Sequence, residues 1–127
     1  MKTRKRFLFV LFAFLAFFVT SCSASPSSVV KNFYNAVENN QYEKAAGYLS
    51  SNAISTFGLS KLEQVIASQA DILIAQGGVK SLEITDESIV DDYATVTLKI
   101  TMENGSVSSD KVSLVKEDGK WKIDIGK

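Results

Sequence analysis

Ala94-Thr95-Val96-Thr97-Leu98-Lys99-Ile100-Thr101-Met102, followed at once by Glu103-Asn104-Gly105, is the stretch that decides how this 127-residue chain folds. Its apolar residues occupy every second position, so a strand here would put Ala94, Val96, Leu98, Ile100 and Met102 on one face and the threonines and Lys99 on the other. Asn104-Gly105 is a strong hairpin signal, because both central residues of a type I′ turn need positive φ and this pair tolerates it. The same grammar continues downstream. Val112 and Leu114 precede Asp118-Gly119, while Trp121, Ile123 and Ile125 follow it, with Lys120, Lys122 and Asp124 facing the other way. Upstream, Leu82 and Ile84 alternate with polar neighbours, and a turn is expected near Asp91-Asp92. The C-terminal half therefore reads as an antiparallel meander of about four strands.

Before Gly77-Gly78 the period changes from two to that of a helix. Ser25-Pro26 places an N-cap before a proline at the first helical position, and Val29, Val30, Phe33, Tyr34, Ala36 and Val37 recur at helical spacing to about Glu38. Asn39-Asn40 interrupts that helix, and Tyr42, Ala45, Ala46 and Leu49 predict a short second one. Ser60-Lys61-Leu62-Glu63 has the form of a capping box, and Leu62, Val65, Ile66, Gln69 and Leu73 carry a third helix up to the glycine pair. Helices first and sheet second imply an α+β domain, with the N-terminal helices packed on one face of a curved antiparallel sheet.

The start of the chain is of a different kind. Lys2, Arg4, Lys5 and Arg6 precede an uncharged run from Phe7 to Val19, the layout of a secretory signal and too short for a membrane-spanning helix, which needs about 20 residues. Beyond it, ten basic residues face fourteen acidic ones, net −4, and no basic run offers a footprint for a phosphate backbone. Nucleic acid is thus not expected as a partner. Cys22 is the single cysteine and there is no histidine, which excludes an intramolecular disulfide and a thiolate metal cluster and removes the usual general base and metal ligand. No metal and no cofactor is expected.

Val19-Thr20-Ser21-Cys22 resembles the lipobox of bacterial lipoproteins. That resemblance implies removal of residues 1–21 as a signal peptide and lipidation of Cys22, with palmitate-type acyl chains that anchor the protein to the cell envelope. Inner and outer membrane are both open, and ordinary cleavage after Ala24 is the alternative. Residues 22–28 would form a lipidated tether and residues 29–127 the domain. In the domain, Val29-Val30-x-x-Phe33-Tyr34, Tyr42-Glu43-Lys44-Ala45-Ala46-x-Tyr48-Leu49, Ala94-Thr95-Val96 and Glu117-Asp118-Gly119-Lys120-Trp121-Lys122-Ile123-Asp124 together resemble the nuclear transport factor 2-like cone, also called cystatin-like or SnoaL-like. Within that superfamily the chain is similar to a family of lipoproteins whose domain has no known function.

Such a cone closes a bent sheet over its first helix, which makes Phe33, Tyr34, Tyr48, Val96, Leu98 and Trp121 the candidate lining of a pocket. Aromatic residues at these spacings are more often core. Some members of the superfamily move protons with a buried carboxylate and a tyrosine or histidine; here no histidine exists, and Asp71 and Asp124 are the only acids that suggest themselves. No catalytic residue is assigned. Asp86, Glu87, Asp91 and Asp92 lack the spacing of a calcium loop and read as a solvated hairpin tip. The expectation is a non-enzymatic, envelope-anchored domain that binds a protein partner, with a homodimer included, or else a small apolar ligand. A filled core with an exposed apolar patch would favour a partner, a solvent-open cavity lined by aromatics a ligand, and a buried carboxylate facing a tyrosine across that cavity an enzyme.

Overall fold

The computed structural model describes residues 24–125; residues 1–21, expected from the sequence to be a signal peptide, and Cys22 lie outside the described residues. Helix α1 spans Pro26–Glu38, with Ser25 as its N-cap in extended backbone and its hydroxyl accepting from the Ser28 amide at 3.2 Å. The helix thus begins within residues 22–28, and any tether is shorter than the sequence suggested. Val29, Val30, Ala36 and Val37 bury one face of α1. At its end the Glu38 carboxylate accepts from the Val79 amide at 3.2 Å, fastening α1 to the start of the sheet.

Three further helices follow: α2 Tyr42–Ala46, α3 Ser51–Phe57 and α4 Leu59–Ala75. The second helix stops at Ala46 instead of reaching Leu49, because the chain there leaves helical geometry to meet the last strand. Helix α3 was not anticipated; it is short, rich in serine, and buries only Ala53 among its side chains. The Ser60 capping box does not form. Gly58, at φ 83°, turns the chain straight from α3 into α4, which starts at Leu59 without a side-chain cap.

The strands β1 Val79–Val90, β2 Tyr93–Met102, β3 Val107–Glu117 and β4 Lys120–Ile123 form one antiparallel sheet in sequence order. Pairing of Ile84 with Leu98, Val96 with Val112 and Leu114 with Ile123 brings the apolar positions onto one face, under the helices. Register shifts between Val79 and Ser81 and between Ile84 and Asp86 bend β1 and curve the sheet. The Asp118-Gly119 turn has both residues at positive φ, as a type I′ turn requires. The turn at Asn104-Gly105 differs from expectation. It is part of a longer loop, Gly105 alone has positive φ (90°), and its amide donates to the Met102 carbonyl at 2.9 Å. That is the type I turn with a left-handed glycine found in longer hairpin loops.

The core runs from Val29 to Ile123, and Val30, Val96 and Leu98 have no exposed surface. The free edge of β4 is covered by residues 48–50. Ile123 donates its amide to the Tyr48 carbonyl and accepts from the Ser50 amide, both at 2.8 Å. Ser50 also begins α3. Its hydroxyl accepts from the Ala53 amide at 3.0 Å and donates to Asp124 Oδ1 at 2.6 Å, while the Ser51 hydroxyl donates to Glu117 Oε2 at 2.6 Å. Two carboxylates from the end of the chain thereby stand at the N-terminus of a helix from its middle. Among the described residues no helix is long and apolar enough to cross a membrane.

Candidate functional site

Helix α4 packs on its neighbours α1, α2 and α3, and between it and the sheet the side chains leave space. The result is a cavity of about 460 Å³, within the range of small-molecule sites. Helix α4 supplies Leu62, Val65, Ile66, Gln69, Ile72 and Leu73 to one wall, with Gln76 at its end. Phe33, Tyr34 and Val37 of α1 form the next, and Ile100 and Met102 of β2 with Ser108, Ser109 and Asp110 of β3 form the sheet side. Leu49 and Ile125 complete it. Val65 and Ile72 are each 49% exposed and Ile125 is 41% exposed, so the lining is continuous with an apolar rim in contact with solvent.

The polar groups of the cavity are few and connected. Asp110 pairs with Leu98 across β2 and β3, which puts this carboxylate on the helix-facing side of the sheet. The Tyr34 hydroxyl donates to Asp110 Oδ2 at 2.8 Å, and the Lys111 amide donates to Oδ1 at 2.9 Å. Burial, then the hydrogen bond and charge of Asp110, push the Tyr34 phenol well above the ordinary tyrosine value. Tyr34 is therefore a neutral donor committed to Asp110 across the physiological range. Phe33 meets the Tyr34 ring edge-on at 5.7 Å between centroids, which fixes the orientation of both.

Of the residues singled out from sequence, Phe33 and Tyr34 lie together in this lining. The other candidates belong elsewhere. Val96 and Leu98 face the helices but are covered completely by them, and Trp121 is 7% exposed with Lys116 Nζ lying 5.6 Å from its ring centroid. Tyr48 packs half-buried against the core beside β4. Neither acid considered for proton transfer lines the cavity: Asp71 is exposed on α4, and Asp124 is engaged by Ser50. At the acidic hairpin, Glu87 accepts from the Ser27 hydroxyl, and among the described residues no cluster of three acidic side chains could hold a metal ion. The site residues that sequence reasoning passed over are the α4 wall and Asp110.

The family model described as "Domain of unknown function (DUF4878)" matches residues 20–124. No curated protein matches the chain. Among solved structures, a Campylobacter jejuni protein named provisionally as an NTF2-like transpeptidase is 27% identical, with a TM-score of 0.70 over 81% of this chain and 100% of that one. A cystatin-fold protein from Novosphingobium aromaticivorans is 12% identical, with a TM-score of 0.53 over 80% of this chain and 97% of that one. A de novo designed NTF2-fold protein is 14% identical, with a TM-score of 0.54 over 82% and 87%. At those lower identities the likeness concerns the fold alone, and the fold is the α+β cone expected from the sequence.

Proposed function

The chain belongs to the family described as a domain of unknown function (DUF4878), and because that membership brings no activity with it, we propose a role from the chain's own site: an envelope-anchored lipoprotein that binds a small apolar or amphiphilic ligand in its cone without transforming it. The open cavity between α4 and the sheet carries this reading. A protein-binding module has less need of unfilled space in its interior, so the geometry favours a ligand over the protein partner that the sequence put first. The reading as a non-enzyme rests on the acids. Asp110 is exposed, not buried, and the proton of Tyr34 is held more tightly than in free tyrosine, the opposite of what a proton shuttle near neutral pH needs.

Anchoring is supported by the leader and by Cys22, which lies four residues before α1 and so would hold the domain close to the bilayer. Native purification from the source envelope, followed by mass spectrometry of what accompanies the protein, tests the ligand reading. A stoichiometric small molecule is expected; an empty protein with a reproducible protein partner would overturn it. Cys22→Ser tests the anchor, since the variant should accumulate as an unlipidated precursor, and normal maturation would refute lipidation at that residue.

A further inference from the structure

We propose that the cavity selects amphiphiles with a cationic head over those with an anionic one, the Asp110 carboxylate being the head-group contact. This inference rests on the ligand reading above and deepens it. Among the described lining residues Asp110 is the one charged side chain, and the rest of the wall is apolar apart from Tyr34, two glutamines and two serines. An apolar tail therefore has a surface to cover, and a cationic head has one charged partner.

The hydrogen-bond inventory at that place points the same way. The Tyr34 hydroxyl has one proton and spends it on Asp110, so towards a ligand it offers only a lone pair. Asp110 receives one bond on each oxygen and a carboxylate can accept about four, leaving acceptor positions on both. The corner of the cavity thus presents acceptors and a negative charge, which match an ammonium or guanidinium group. A carboxylate or phosphate head would meet like charge and no free donor from this pair. The Asp110 charge sets a negative field at this corner, and the domain's net charge of −4 adds to it at long range.

The test uses the mature chain, residues 22–127, carrying Cys22→Ser so that no attached lipid competes. Displacement of the uncharged fluorophore N-phenyl-1-naphthylamine is measured with three ligands of one tail and different heads, dodecylamine, 1-dodecanol and dodecanoate, below their aggregation limits. A unit charge about 4 Å from Asp110 in high dielectric gains or loses enough that dodecylamine should bind at least about tenfold more tightly than dodecanoate, with dodecanol between. Raising the salt concentration should shrink that ratio. Asp110→Asn, close in shape, should bring it to within about threefold, whereas Asp71→Asn, which removes the same charge from the exposed side of α4, should leave it unchanged. Equal affinities, or tighter binding of dodecanoate, with the fluorophore still bound would overturn the head-group inference alone. A ratio that falls equally in both variants would also overturn it, by making the effect one of net charge. A folded protein that never binds the fluorophore would overturn the cavity reading itself.

Discussion

Two enlargements of buried apolar residues should have different costs if the space beside α4 is open. Val96 has no exposed surface and sits mid-sheet, with β1 and β3 beside it and the helices above. Val96→Phe forces a ring into a filled core, an overpacking change that costs about 1–3 kcal/mol. Ile66 is as well buried, at 4% exposure, but borders the cavity of about 460 Å³. A phenylalanine there can turn its ring into the void and gain contacts, so Ile66→Phe should change stability by less than about 1 kcal/mol, and in either direction. Urea unfolding followed by Trp121 fluorescence reads both. With a slope of about 1–2 kcal/mol/M, the midpoint of Val96→Phe should fall by roughly 0.5–3 M and that of Ile66→Phe should move by less, in either direction. Ile66→Phe should also weaken binding of the naphthylamine fluorophore. Equal losses of stability in the two variants, with fluorophore binding intact, would show that the space is already occupied by side chains and would refute the argument for a binding site.

Ser50→Ala removes an N-cap and the hydroxyl that satisfies Asp124, both at a fully buried position, and should cost about 1–2 kcal/mol in the same urea assay; a loss below about 0.3 kcal/mol would mean that water replaces both contacts. The folded-state pKa of Tyr34 is raised, so its contribution to stability is complete below the unfolded value near 10.0 and is lost as pH rises beyond it towards the folded value. The wild type should therefore lose stability above about pH 10 more steeply than Tyr34→Phe, and parallel profiles would contradict the burial of the phenol and its pairing with Asp110. Gly105→Ala meets open space and should cost about 1 kcal/mol from its positive φ alone, whereas Gly77→Ala has a like φ and brings its Cβ to 3.1 Å from Glu103 Cβ, so it should cost more.

The sheet was legible because its signals agree at several levels: strict alternation along Ala94–Met102, a turn pair on each side of the third strand, and a change of period at Gly77-Gly78. Helix α1 was legible for the same reason, its cap, its proline and its apolar stripe all naming one start. Helix α3 was not, since its hold on the fold comes from Glu117 and Asp124, far along the chain, and no local pattern announces that. At the cavity, alternation told which strand residues face inward but not what lies above them; Val96 and Leu98 meet helices and Ile100 and Met102 meet space. Two signals were present and passed over. The apolar positions of α4 cover more of its circumference than the stripe of Leu62, Ile66 and Ala70 that it buries, and Asp110 stands in phase with the inward Val112 and Leu114, a charge on the apolar side of a strand.

The joining of Tyr48–Ser50 to Ile123, and of Ser50 to Asp124, makes the middle of the chain wait for its end. During synthesis the cap of α3 and the covered edge of β4 do not exist until residue 124 is free. Contacts separated by more than seventy residues are slow to close and contribute nothing before they do. A chain stopped short of Ile123 should leave α3 frayed and Leu114 paired with Ala94 alone, so the docking of α3 depends on a strand more than seventy residues further along.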